Sequence, residues 1–228
     1  MTLRIIVATP AVVVVEKPSG VSVIPGRGEP PGADVKALLA RQLGQTVWTV
    51  HRLDRDTSGV LVFALDAPTH RALSMALEAG EVEKSYVALV AGVPKVDKWT
   101  TTAALVEGRK GRMRTAREGE AGKESATSFE VVERFAAASC VRAFPKTGRT
   151  HQIRVHLAHS GFPLLADPKY GLREGDAGFA AGLRRTPLHA SSFKFSGKAD
   201  CAALFAESPM PDDMQAAIEK LRGGLPKR

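Results

Sequence analysis

The sequence predicts an α+β fold with a mixed, mostly antiparallel central sheet and flanking helices. Three observations carry that expectation. Stretches with strand chemistry outnumber helical ones, and they follow one another in adjacent runs instead of alternating with helices. No internal repeat and no Gly/Pro/Ser-rich linker divides the 228 residues cleanly. The 44% hydrophobic content is that of a globular chain with a substantial core. One domain is expected over residues 1–228, with its core at about 10–205.

A strand falls at residues 11–17, in a stretch that begins with β-branched runs, and a Gly/Pro-dense loop follows at 25–33. DVKALLARQLG then reads as a helix. Asp34 is its N-cap, Val35, Leu38, Leu39 and Leu43 share one face, and Gly44 stops it. Val60 to Leu65 is a strand, and Asp66 caps a second helix with Pro68 in its first turn and Gly80 at its close. KSYVALVAG, WTTTAALVEG and SATSFEVVERF read as strands. Between the last two lies GRKGRMRTAREGEAGK, glycine-rich and basic, expected to be a mobile surface arm. CVRAFPKTGRT leads through a turn into a helix in THQIRVHLAHSG. TPLHASSFKF is a late strand, and DDMQAAIEKLRGG an amphipathic helix through Met214, Ile218 and Leu221.

Composition narrows the class of function. No segment approaches the ~18 apolar residues that span a bilayer, and no signal-peptide pattern opens the chain. A cytoplasmic protein with no membrane association is expected. Cys140 and Cys201 lie far apart, without metal-ligand spacing, and read as buried apolar side chains. The net charge of +8 and pI near 9.7 suggest a polyanionic partner. Nine Phe, two Trp and two Tyr are too few for an aromatic-rich single-strand platform.

Four segments stand out, EKPSGVSVIPG, HRLDRDTSG, KSYVAL and TGRTHQIRVHLAHSGFPLLADPKYG, and the last three carry candidate chemistry. In HRLDRDTSG, Asp54 lies among arginines, and such a carboxylate can serve as nucleophile or base. A solvated polar turn is the competing reading, and a metal site a weaker one, since other acidic residues are scattered. A kinase catalytic loop fails for want of a glycine-rich loop before it and DFG after it. In KSYVALV, period-two geometry puts Lys84, Tyr86 and Ala88 on one face and Ser85, Val87 and Leu89 on the other, the natural core face. Tyr86 could then stack on a planar ligand, or simply pack at the sheet rim. TGRTHQIRVHLAHSG gathers Lys146, Arg149, His151, Arg154, His156 and His159 near a helix start, where backbone N–H groups and Arg149 favour phosphate. Its histidines lack metal-binding spacing and read as hydrogen-bonded or surface residues.

Taken in order, these segments resemble the RluA family of RNA pseudouridine synthases. HRLDRDTSG matches the HRLD-x-x-TSG signature, KSYVA the K-x-Y-x-A element and TGRTHQIRVH the arginine-rich element. EKPSGV, DPKYG at 167–171 and LHA at 188–190 support the match, which covers roughly residues 10–205. Ala166 departs from the pattern, which usually has Gly there. Only about ten residues precede the first matching segment, so the chain resembles the short members without an S4 domain.

The resemblance implies a pseudouridine synthase fold around a catalytic cleft, and an isomerase that turns uridine into pseudouridine in structured rRNA or tRNA. It implies no cofactor, no metal, no obligatory protein partner, and a monomer. Asp54 would be the catalytic aspartate, Arg154 its partner across the cleft, and Tyr86 the residue stacked on uracil. Arg52 would fill the space left by the flipped nucleotide, and Lys84 and Arg149 would also bind substrate. Arg55 and Asp56 fall at variable positions. A non-catalytic RNA-binding or ribosome-assembly factor and a metal-dependent nuclease are the alternatives. The first has no need of Asp54, Tyr86 and Arg154 together, and the second lacks clustered acidic ligands.

Overall fold

Strand chemistry dominates the folded chain as it does the sequence. The computed structural model describes residues 1–26, 28–171, 177–198 and 201–223. Arg27 in the 25–33 loop and Gly224 after the last helix lie outside the described residues. Strands β1 (Arg4–Ala8), β2 (Val12–Lys17), β3 (Trp48–Thr49), β4 (Ser58–Ala64) and β5 (Val82–Ala91) come with helices α1 (Val35–Leu43) and α2 (Ala67–Glu78). Then follow β6 (Lys98–Thr101), β7 (Leu105–Glu107), β8 (Met113–Thr115), β9 (Thr127–Arg134) and β10 (Ala138–Pro145). Helices α3 (Gln152–His159), α4 (Ala177–Ala180) and α5 (Asp212–Arg222) accompany β11 (Leu188–Phe195) and β12 (Leu204–Glu207). No helix among the described residues is long and apolar enough to cross a membrane.

Two compact units emerge, one of residues 1–84 and 190–209, the other of residues 85–189 and 210–228. Their boundary falls inside β5 and β11, where no linker could have marked it in the sequence. In the first unit the strands run in the order β1-β2-β4-β11, with β12 beside β11 and β3 beside β4. Val12, Val14, Val60 and Val62 join Leu73, Phe193 and Leu204 in one core. Val13, Val15, Leu61 and Phe63, on the opposite faces, are buried as well. Strands covered on both sides read as unbroken apolar runs, which explains VVVV and VLVFA. The expected caps are in place. Asp34 accepts from the Ala37 N–H at 3.0 Å and Asp66 from the Thr69 N–H at 2.7 Å.

In the second unit β5, β10, β9 and β6 form an antiparallel sheet. Leu89, Ala91 and Cys140 pack under Met214, Ile218 and Leu221 of α5, with Val87 against them. The face of β5 expected to be its core face therefore meets a helix. WTTTAALVEG splits into two strands, because β6 joins the sheet and β7 pairs with β8 in a separate hairpin. That hairpin occupies the segment expected to be a mobile arm. Leu105 anchors it, buried against Val155 and Tyr170, and a bridge between Leu105 and Lys123 closes its base. Leu105 and the returning bridge help to order a segment rich in glycine and charge.

Gly59, the second residue of β4, has φ at 110°, and a Cβ built there would stand 2.1 Å from the carbonyl oxygen of Ala190. Backbone on backbone cannot yield as a flexible side chain does. Gly59→Ala is expected to destabilise the protein by about 3 kcal/mol or more, read by urea unfolding. A loss under about 1 kcal/mol would show that β4 and β11 can separate at no great cost.

Candidate active site

The loop carrying Asp54 is fixed from below by a lysine. Lys17 ends β2, is 0% exposed, and its Nζ donates to the carbonyls of Pro18, Arg55 and Thr57 at 2.9, 2.8 and 2.8 Å. An ammonium offers three protons, and these carbonyls can each accept one. Ser19 Oγ donates to the Asp56 carbonyl at 2.8 Å, and the Gly20 N–H to that of Arg55 at 2.9 Å. The Thr57 N–H closes a turn on the Asp54 carbonyl at 3.1 Å. EKPSGV is thus a clamp on the backbone of residues 54–57. Asp54 itself is half-buried, and Arg52 is exposed. The Arg55 side chain is drawn back to the Gly20 carbonyl at 2.9 Å.

His51 takes a structural part. Its Nε2 accepts the Val62 N–H at 3.2 Å, and its ring stacks on Phe193 with centroids 5.4 Å apart. Burial, and secondarily the charge of Lys84, push its pKa down to about 3. The imidazole is therefore neutral, with its proton on Nδ1. Lys84 is half-buried, and burial lowers its own pKa.

In the second unit Tyr86 is 9% exposed on β5, opposite Ala143 of β10. Arg154, 5% exposed, lies within the first turn of α3. Its carboxylate partner in this unit is Asp167, of the DPKYG segment. Nε meets Oδ2 and Nη2 meets Oδ1, each at 2.8 Å, in a bidentate pair. Asp167 Oδ1 also accepts the N–H groups of Lys169 and Tyr170. Burial, the largest influence, would raise the Asp167 pKa, but the bonds and charge of Arg154 with the two N–H groups bring it below the usual value. The strand-like run 163–165 delivers Asp167 by pairing with β5, Ala91 N–H to Pro163 and Leu165 N–H to Leu89.

Strain gathers here. Among the described residues, the non-glycine side chains at positive φ are His151 at 54° and Ala166 at 50°. One opens α3 three residues before Arg154, and the other immediately precedes Asp167. Ala166 stands where the resemblance leads one to expect Gly, and its left-handed backbone gives the reason. His151 Nδ1 lies 2.8 Å from the Tyr170 hydroxyl. Tyr170 also receives the Met113 N–H from the hairpin at 3.0 Å, and the Arg154 guanidinium carbon lies 5.1 Å from its ring centroid.

Other residues of the arginine-rich element hold the turn. Gln152 Oε1 accepts from the Arg149 N–H and the Thr147 hydroxyl, while its Nε2 donates to Ala126 and Thr127. Arg149 is exposed, with Nε on the Glu124 carbonyl at 3.2 Å. His156 is buried between Thr127 and Ser125, and His159 is exposed. Burial pushes the Cys140 thiol up to about 11, which suits its apolar reading. Of the residues named from sequence, Arg52, Asp54 and Lys84 belong to the first unit, and Tyr86, Arg149 and Arg154 to the second. Lys17, Gln152, Asp167 and Tyr170 were not singled out. EKPSGV and DPKYG were the available signals, but neither shows which of its side chains is buried.

This fold is that of pseudouridylate synthase domains. The structure of Human RNA Pseudouridylate Synthase Domain Containing 4 superposes with a TM-score of 0.79 at 23% identity, covering 96% of this chain and 93% of that one. The RNA pseudouridylate synthase family matches residues 11–159, and the chain belongs to that family, a family of isomerases. Ribosomal large subunit pseudouridine synthase C of Escherichia coli O157:H7 is 38% identical over 215 residues, 92% of this chain and 67% of that protein. Ribosomal large subunit pseudouridine synthase D of Xanthomonas campestris is 36% identical over 223 residues, with 92% and 67% covered.

Two outcomes follow. Lys17→Met leaves three carbonyls without their donor and should cost about 3 kcal/mol of stability and most turnover, while RNA affinity falls far less. Equal losses of affinity and turnover would argue against a role confined to the Asp54 loop. For His51 the unfolded chain takes up a proton near pH 6.5 but the folded chain only near 3. Its contribution to stability is complete above 6.5 and is lost as pH falls through that window, by up to ~1.4 kcal/mol per pH unit. Urea unfolding across this range should show the decline, and His51→Gln should remove most of it. His156, whose pKa is also lowered, chiefly by burial, supplies a remainder of the same sign.

Proposed function

We propose that this protein isomerises uridine to pseudouridine in large-subunit ribosomal RNA, with Asp54 as its catalytic carboxylate. The observation that carries this reading is the HRLDRDTSG loop, with its backbone clamped by a buried lysine, in a chain 38% identical to a large-subunit enzyme. A tRNA substrate has no such support from the named relatives.

The reaction breaks the N1–C1′ bond, turns the uracil and joins C5 to C1′. The C5 proton leaves and N1 gains one, so nothing is oxidised and nothing is added. Asp54 would start this by attack at C1′, by attack at C6, or by removal of the C2′ proton. All three routes ask for a carboxylate held in one orientation, and a loop bound through its own carbonyls suits that demand. Tyr86 would stack on the uracil and assist at C5. Arg154, bound to Asp167 through Nε and Nη2, would also keep the Asp54 carboxylate ionised and oriented. The target must leave its helix, at a cost of a few kcal/mol. Arg52 would occupy the vacated space, and Lys84 and Arg149 would contact the strand. Phosphate contacts from a chain of net charge +8 offset the cost of flipping.

The test offers unmodified, transcribed large-subunit rRNA without divalent metal and maps pseudouridine by carbodiimide-dependent primer extension. Wild type is expected to modify discrete uridines. Asp54→Asn should bind the RNA with unchanged affinity and lose at least about three orders of magnitude in rate. Turnover within tenfold of wild type in Asp54→Asn would remove Asp54 from the mechanism.

A further inference from the structure

We infer that Arg112, immediately before β8, is a phosphate-binding residue for the RNA strand next to the target uridine, held in place by Tyr170. The inference rests on the rRNA reading above and adds a contact that the catalytic motifs do not contain. Its basis is the packing of the β7–β8 hairpin. Leu105 is buried with Val155 and Tyr170, with Met113 and Ala158 against them. The Met113 N–H donates to the Tyr170 hydroxyl at 3.0 Å, and that hydroxyl lies 2.8 Å from His151 Nδ1. Arg112 is therefore carried by a hairpin that packs on Val155 and Ala158 of α3 and is hydrogen-bonded to Tyr170.

The two guanidinium groups meet at one ring. The Arg112 guanidinium carbon lies 5.3 Å from the Tyr170 ring centroid, and that of Arg154 lies 5.1 Å from it. The two carbons can then be no more than about 10 Å apart. That is the rise of about three stacked nucleotides. A phosphate at Arg112 thus lies within about three nucleotides' reach of Arg154.

Its neighbours in the hairpin are spent differently. Arg114 is closed onto Glu120 through two bonds of 2.7 and 2.6 Å, and the Arg117 N–H donates to the same carboxylate. That pair pins the returning loop. Arg112 is exposed and makes no ion pair with any described residue. A guanidinium resting on an aromatic face loses little further freedom when it binds, and its donors suit two phosphate oxygens at once. Tyr170 also fits this use. Its hydroxyl is engaged on both sides, so its ring is fixed for both arginines.

The experiment measures binding of unmodified, transcribed large-subunit rRNA over a salt series, with pseudouridine formation followed in the same samples. Arg112→Gln is expected to raise Kd about tenfold and to lower the slope of log K against log salt by about one. KM should rise with Kd, and kcat should fall much less. Arg112→Lys should restore the slope but only part of the affinity, because an ammonium cannot make the forked contact. Arg117→Gln, the control, should change neither. Wild-type Kd and slope in Arg112→Gln, or the same losses in Arg117→Gln, would overturn the proposal. So would a fall in kcat alone, which would make Arg112 a support for Tyr170 and Arg154. If wild type forms no pseudouridine in this RNA while binding still depends on Arg112, the substrate reading fails and the phosphate contact stands.

Discussion

A guanidinium and a carboxylate, both nearly shut off from water, determine how the second unit must be built. Arg154 and Asp167 have side chains 6% and 0% exposed. Removing such ions from water costs several kcal/mol each, and only complete satisfaction of their donors and acceptors offsets it. Here the pair is bidentate, two backbone N–H groups complete Asp167, and the Tyr170 ring lies against the guanidinium. That arrangement dictates the backbone on either side. His151 and Ala166 adopt left-handed conformations, at about 1–3 kcal/mol each. Leaving either ion buried without its partner would cost about 3–5 kcal/mol. The two magnitudes are close, and the pair wins because packing of Leu165 and the N–H bonds to Asp167 act with it. A strained turn is tolerated where it brings a charge to its partner.

The first unit solves a similar problem by another route. Lys17 is as deeply buried as Asp167, but the acceptors of its three bonds described here are carbonyl oxygens. A carbonyl dipole is a weaker acceptor than a carboxylate, and three of them are needed. The consequence is positional, since Arg55 and Thr57 follow Asp54 at one and three residues and are held by a single atom. The variable side chains of HRLDRDTSG are thus carried on a backbone that is not free to vary in position. Arg55 and Asp56 fall at variable positions of the motif, yet their carbonyls are bound by Lys17 and Ser19.

Most elements were legible because their signals are local. Asp34 and Asp66 as N-caps, Gly44 at positive φ after α1, and the buried Met214, Ile218 and Leu221 of α5 all depend on residues within a turn or two. The fold class followed from counting strands, and the family from motif order. The partner of Arg154 was not legible, since Asp167 is thirteen residues away and reaches it only because 163–165 pair with β5. Nor was the burial of Lys17, because a lysine at a strand end reads as solvated. Short strands such as β3 and β12 were also missed, each being an appendage of a longer neighbour in the sheet.

The segment 108–123 shows what composition leaves out. Its glycines and charges argued for a mobile arm, and both facts about composition are true of an ordered hairpin. Order comes from Leu105, outside the charged stretch, and from a tyrosine nearly fifty residues or more beyond it in the chain. Charge in such a segment is not one quantity. Arg114 is consumed by Glu120 and shapes the loop, while Arg112 rests on a ring shared with Arg154 and points its charge outward. Counting both as equal parts of a basic patch would misjudge each. An arginine closed onto its own loop adds nothing to binding a polyanion beyond the long-range field, which salt screens within about 10 Å. An arginine whose plane is already fixed by a neighbouring ring can give the directional contact that a field cannot.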